Sequence, residues 1–281
     1  MISMKRLLLV VLALFCISGP SQLTSGAENG KTTPVYPVRV VAHRGSSFDA
    51  PENTLASAKL SIEMNADGSE CDVYRTTDGV LVLLHDGTLK RTAGVDKKVV
   101  ECDYATLTKL EVGSWKDPKF AGEKIPTLKE YLAVFQGTNT RPVIEIKMDG
   151  IEQAVIDAVK EAGMADRVIL IAFSEHVIKK VRELAPEISA AWLYGKKEDT
   201  WTVEQTADFL TEKAKYCNTN ILDLNDGILS PELLKILRNR GFFVWAWTVN
   251  EPAVMETLLR WGIDSITTDR PDVLMEVMNR R

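Results

Sequence analysis

The chain holds three histidines, and two of them stand where apolar, β-branched runs end. His43 follows Val38–Ala42 and precedes Arg44 and Gly45, while His85 follows Val80–Leu84 and precedes Asp86. An imidazole changes charge in the physiological pH range, so it can relieve one reacting group of a proton and deliver one to another. His176 lies in a helical stretch among ordinary polar neighbours and is expected on the surface. The carboxylates form a second set. Glu70 and Asp72 are two apart on one predicted strand and share a face, with Cys71 opposite. Glu145 and Lys147 repeat that spacing on another strand. Acids aimed into an interior are costly unless a cation neutralises them. Three oxygen ligands with no accompanying cysteine select one hard divalent cation, Ca²⁺ or Mg²⁺.

Arg44 and Lys147 add the cations that an anionic substrate needs. A phosphodiester gains charge on its phosphoryl oxygens during displacement, and a guanidinium, an ammonium and a divalent ion stabilise it. Two histidines then divide the proton work between nucleophile and leaving alkoxide. This set fits phosphoryl transfer better than acyl transfer. The sequence has no Gly-x-Ser-x-Gly elbow, no Walker loop and no Rossmann glycine run.

The elements that must carry these residues alternate regularly. Eight strands are expected at Val38–Ala42, Gly68–Val73, Pro142–Lys147, Val168–Ala172, Ser189–Leu193, Ile221–Leu224, Phe243–Thr248 and Asp264–Thr267. Six helical patterns lie between them: Thr54–Asn65, Ile151–Ala162, Glu175–Leu184, Val203–Tyr216, Pro231–Arg240 and Pro252–Trp261. Strand–helix alternation implies a parallel sheet, and eight repeats imply a closed TIM-type (β/α)8 barrel. The connection after the second strand differs. Asp78-Gly79 is a hairpin signal, so Val80–Leu84 is expected to fold back antiparallel and return His85 toward the mouth. Residues 87–126 then read as a long irregular insertion.

With 281 residues, 45% hydrophobic and 26% charged, the chain can bury a large core. Its formal charge of −5 argues against a nucleic-acid partner. Residues 1–27 read as a signal peptide, with Lys5 and Arg6, an apolar run over Leu7–Ile17 and Ser25-Gly26-Ala27 for cleavage. The run is short for a membrane span, so the mature protein is expected to have none and to be exported, to a periplasm or outside the cell. Residues 28–37 read as a linker and 38–281 as one barrel domain. Cys71, Cys102 and Cys217 remain after cleavage. Cys102 and Cys217 could pair in an oxidising compartment, or all three could be buried thiols.

Several segments together carry a family resemblance. Val41-Ala42-His43-Arg44-Gly45, Pro51-Glu52-Asn53-Thr54, Glu70-Cys71-Asp72-Val73, Thr77-Asp78-Gly79 and His85-Asp86 stand in the order found in glycerophosphodiester phosphodiesterases. Ile125-Pro126-Thr127-Leu128, Glu145-Ile146-Lys147, Trp247-Thr248-Val249-Asn250 and Thr268-Asp269-Arg270-Pro271 extend the match across the mature chain. The chain resembles that family, departing at Asn65 and Ser69. The resemblance implies hydrolysis of small glycerophosphodiesters to glycerol 3-phosphate and an alcohol. It implies His43 and His85 as the catalytic pair, Glu70, Asp72 and Glu145 as metal ligands, and Arg44 and Lys147 on the phosphate. Trp247 would wall the substrate pocket. A related activity on lysophospholipids or phosphoinositides is the alternative. Glu52 either orients Arg44 or supports its loop, and Asp86 either orients His85 or serves as a loop or capping residue. Asn53 or Thr54 caps the first helix, Asp269 and Pro271 close the last loop, and Trp245 or Trp247 fills the barrel.

Overall fold

Strands buried on both faces read as nearly continuous apolar runs, and here the runs fold into a ring. The computed structural model describes residues 39–279, so the expected signal peptide and linker lie outside the described residues. In chain order the elements begin with β1 (Val40–Ala42), α1 (Leu55–Glu63), β2 (Gly68–Arg75) and β3 (Leu81–Leu83). Three short helices or helical stretches follow: α2 (Lys90–Ala93), α3 (Tyr104–Leu107) and α4 (Leu128–Val134). Then come β4 (Arg141–Ile146), α5 (Glu152–Glu161), β5 (Ile169–Ala172), α6 (Glu175–Leu184), β6 (Ser189–Tyr194) and α7 (Val203–Cys217). The chain finishes with β7 (Ile221–Asn225), α8 (Pro231–Asn239), β8 (Phe243–Trp247), α9 (Pro252–Trp261), β9 (Ser265–Thr268) and α10 (Pro271–Asn279).

Eight strands run parallel around a closed barrel: β1 pairs with both β2 and β9, and β2 continues through β4 to β9. Strand β3 is the ninth, antiparallel to the far end of β2, with Val73 opposite Leu83. The expected hairpin therefore forms. It is shorter than the apolar run suggested, so His85 sits two residues beyond the strand rather than at its last position.

Alternation divides the apolar side chains into two cores. Val41, Val143, Ile171, Leu193 and Trp245 fill the barrel, and Ala42, Cys71, Ile144, Leu170 and Val244 pack outward against the helices. Thr54, Thr127 and Thr202 close capping boxes at α1, α4 and α7, which fixes where those helices start after their loops.

Two expectations need correction. Helices α4 and α10 were not among the six expected. Helix α4 has only seven residues, too few to show a helical period twice. The insertion is less irregular than expected. Val82, Leu84, Leu89, Val99, Cys102, Leu107, Val112 and Ile125 form a third apolar cluster between the hairpin and the insertion. Most of these residues come singly from short helices and loops, so no sustained periodicity marks them. The cysteines follow the buried-thiol reading, and Cys102 and Cys217 do not pair. All three described cysteines are free and buried, and Cys102 packs in the insertion's cluster while Cys217 packs in the outer core.

Leu107 is fully buried in the third cluster. Leu107→Ala is expected to cost roughly 2–5 kcal/mol, lost locally because the cluster is separate from the other two. Hydrogen exchange should accelerate across residues 87–126 and spare the barrel strands; uniform acceleration would mean that the insertion and barrel share one core.

Candidate active site

The catalytic end of such a barrel is the mouth formed by the strands' C-terminal ends. There the chain leaving β1 makes a sharp bend. The His43 backbone N–H donates to the Thr268 carbonyl at 2.9 Å, and the backbone then takes positive φ at Arg44 (56°) and Gly45 (77°). A Cβ on Gly45 would lie 2.5 Å from Ser57 Oγ, so only glycine lets the loop pack on α1. The bend turns the Arg44 backbone N–H onto Glu70 Oε2 at 2.8 Å and the Gly45 N–H onto the Glu70 carbonyl at 3.0 Å. A second positive-φ residue, Asn53, works on the neighbouring acid. Its Nδ2 donates to Asp72 Oδ2 at 2.7 Å and its Oδ1 accepts from the Asp72 N–H at 3.0 Å. The helix cap is therefore Thr54, and Asn53 is free to hold Asp72.

These contacts gather Glu70, Asp72 and Glu145, whose carboxylate oxygens come within 4.8 Å of one another, all buried. Lys147 Nζ lies 3.1 Å from Asp72 Oδ1 and 2.9 Å from Glu145 Oε1, and Arg44 Nε lies 3.6 Å from Asp72 Oδ2. Burial and then the Asp72 and Glu145 charges push the Glu70 carboxyl far above the ordinary range. Burial and then Asp72 push Glu145 up to about 7. Burial also opposes ionisation of Asp72, but Lys147 and Arg44 outweigh it and hold its pKa below the usual value. Glu70 Oε1 is buried with no hydrogen-bond partner. Three converging hard oxygens, one of them unsatisfied, and a net excess of negative charge are what a divalent cation fits. The cluster could hold one.

Both histidines are anchored through Nδ1. His43 Nδ1 lies 2.7 Å from Asp269 Oδ1, and His85 Nδ1 lies 2.8 Å from Asp86 Oδ1. Asp269 also accepts from Ser47 Oγ at 2.9 Å and Asn250 Nδ2 at 2.7 Å. Despite burial, these donors hold its pKa well below the carboxylate range. Asp86 is held at about 2, chiefly by hydrogen bonds from Arg91. An ionised carboxylate only accepts, so each Nδ1 carries the proton and each neutral ring has its lone pair at Nε2. Burial, with the cations Arg44 and Lys147 opposed by Asp72 and Asp86, lowers the His85 pKa below 6.5.

Glu52 accepts from Arg44 Nη1 at 3.0 Å, and Asp86 accepts from His85 Nδ1 at 2.8 Å. Trp245 is 5% exposed and fills the barrel. Trp247 is half-buried, donates from Nε1 to the Asp223 carbonyl at 3.0 Å, and meets Phe173 edge-on at 5.3 Å. Asp78 holds its own turn through Thr76 and also accepts the Tyr104 N–H. His176 is exposed, as expected. Asp269, expected to close the last loop, instead anchors His43. Its place at the end of β9 is the same strand-end signal that marked His43. Asn53, Arg91 and Phe173 had no comparable signal. Asp223, also missed, is 1% exposed on β7, with Oδ1 unpartnered and its pKa raised by burial and by Glu145.

A sequence model of the glycerophosphoryl diester phosphodiesterase family matches residues 43–273. The chain belongs to this family. A glycerophosphodiester phosphodiesterase from Caldanaerobacter subterraneus subsp. tengcongensis is 34% identical over 248 residues, covering 86% of this chain and 98% of that protein. One from Bacillus subtilis is 29% identical, covering 97% of each. The solved structure of an Oleispira antarctica phosphodiesterase, in complex with the product sn-glycerol-3-phosphate, superposes with a TM-score of 0.76 at 27% identity. That match covers 86% of this chain and 96% of the other. This family member is thus an enzyme, a hydrolase of glycerophosphodiesters on a TIM-type barrel.

The acidic cluster should make stability depend on pH and metal. Without metal, Glu145 holds its proton more tightly folded (about 7) than unfolded (4.5), so rising pH withdraws stability between those values and the full cost remains above them. In a chelator, the Tm advantage of Glu145→Gln over the natural chain should grow between about pH 5 and about pH 8. Ca²⁺ or Mg²⁺ should raise the Tm of the natural chain and not that of the variant. A Tm difference flat with pH would show that Glu145 is not held protonated.

Proposed function

We propose that the enzyme hydrolyses small glycerophosphodiesters to glycerol 3-phosphate and an alcohol, with His43 and His85 sharing the proton transfers. The observation that carries this reading is the pair of imidazoles, each anchored at Nδ1 on a carboxylate, at the mouth that also holds the buried Glu70–Asp72–Glu145 cluster. One Nε2 accepts the proton of the attacking hydroxyl: water gives glycerol 3-phosphate directly, whereas the substrate's own glycerol hydroxyl gives a cyclic phosphate that water then opens to glycerol 3-phosphate. The other imidazole, in its protonated form, delivers a proton to the departing alkoxide. Asp269 and Asp86 stabilise whichever ring is cationic and keep Nε2 aimed outward. Arg44 and Lys147 bind the phosphoryl oxygens, and Trp247 walls the substrate. Glu70, Asp72 and Glu145 would hold Ca²⁺ or Mg²⁺, which when bound supplies charge stabilisation to the phosphoryl group. The product in the Oleispira enzyme supports the choice of substrate.

Export belongs to the same proposal. The charged start, apolar run and small residues of positions 1–27 support cleavage after Ala27 and release to a periplasm or the exterior. Among the described residues no helix is long and apolar enough to cross a membrane.

His43→Ala and His85→Ala should each lower kcat on glycerophosphocholine by about 10²–10⁴-fold, with folding preserved. Normal turnover in either variant would remove that histidine from the chemistry. Chelation should abolish activity and Ca²⁺ or Mg²⁺ should restore it. Faster turnover of micellar lysophosphatidylcholine than of glycerophosphocholine would move the substrate to lysophospholipids.

A further inference from the structure

The two histidine anchors are built differently. Asp269 is pinned by two neutral donors, Ser47 and Asn250, from the loops after β1 and β8. Asp86 is pinned by a guanidinium from the insertion. Arg91, on α2, donates from Nε to Asp86 Oδ2 at 2.8 Å and from Nη2 to Asp86 Oδ1 at 3.2 Å. Its remaining fork reaches Glu52: Nη1 to Oε2 at 2.6 Å and Nη2 to Oε1 at 2.7 Å. Glu52 Oε1 is the same atom that accepts from Arg44 Nη1, and Asp86 Oδ1 is the same atom that faces His85 Nδ1. One planar guanidinium thus bridges the carboxylate that orients Arg44 and the carboxylate that orients His85.

We propose that Arg91 is a positioning residue: it locks the His85–Asp86 and Arg44–Glu52 pairs into one unit and makes their alignment depend on the folded insertion. The inference rests on the two-histidine reading for its effect on catalysis. Asp86 is about one-third exposed, so without a fixed donor its carboxylate could turn to water and leave His85 free to rotate. Glu52 is only 11% exposed and holds two guanidiniums, so removing one changes how it grips the other. Trp115, also from the insertion, has its ring centroid 6.0 Å from the Arg91 guanidinium. Lysine cannot replace this fork, because an ammonium has no planar set of donors to span two carboxylates.

The test uses the full chain with saturating Ca²⁺ and proton NMR of the downfield imidazole Nδ1–H signals, assigned from their loss in His43→Ala and His85→Ala. In Arg91→Met the His85 signal should vanish into exchange with water while the His43 signal, held by Ser47 and Asn250, persists. On glycerophosphocholine, kcat should fall about 10–100-fold, as expected for a misplaced catalytic group. KM should change far less than kcat. Arg91→Lys should show the same pattern, and it provides the comparison if Arg91→Met does not fold. An unchanged His85 signal in both variants would overturn the proposal. So would loss of both histidine signals together with a lower Tm, since the arginine would then hold the fold as a whole. Full recovery in Arg91→Lys would also overturn it, leaving charge rather than the fork responsible. Failure of the two-histidine reading is a separate outcome, seen as normal turnover in His85→Ala with the Arg91 effect on the His85 signal intact.

Discussion

Three carboxylates share a space in which their oxygens lie within 4.8 Å, withdrawn from water, and the surrounding structure is organised around that cost. Each acid alone would be expensive to bury ionised, and each worsens the other two. The protein responds with directed partners. The Arg44 backbone N–H serves Glu70, Asn53 serves Asp72, and Lys147 spans Asp72 and Glu145. The compensation is incomplete, as the raised Glu70 and Glu145 and the unpartnered Glu70 oxygen show. A site left short of positive charge in this way is prepared for a cation.

Holding those partners in place requires backbone that ordinary residues avoid. Arg44 and Asn53 both take positive φ, at a cost on the order of 1–3 kcal/mol each. Both sit in the single loop between β1 and α1, and both exchange that strain for a hydrogen bond to an acid of the buried cluster. Thr54 caps α1 immediately afterwards, so the helix fixes the far end of the loop while β1 fixes the near end. Gly45 completes the arrangement by letting the loop touch α1.

The two histidines proposed to share the proton transfers show how one orienting requirement can be met by different supports. On that reading each imidazole must present Nε2 in a fixed direction, and each donates a hydrogen bond from Nδ1–H to an ionised aspartate. His43 draws its support from the barrel's own loops. His85 draws it from the insertion, whose third apolar cluster keeps α2 and Arg91 in position. The long segment after the hairpin therefore contributes to the site as well as to the surface.

Much of this was legible along the chain. Parity on β2 and β4 placed Glu70, Asp72 and Glu145 on common faces, the Asp-Gly turn returned His85 to the mouth, and eight alternating units implied the barrel. These features are local, set by the two-residue repeat of a strand or by turn preference, so they survive in one dimension. The sequence by itself determined the fold class and the residues whose types could do the chemistry. Only the tertiary structure decided which carboxylate anchors His43, that Asn53 holds Asp72 rather than capping a helix, and that Arg91 bridges two pairs. Those choices join residues separated by 226, 19 and 39 positions, and distance along the chain carries no information about such contacts until the barrel closes.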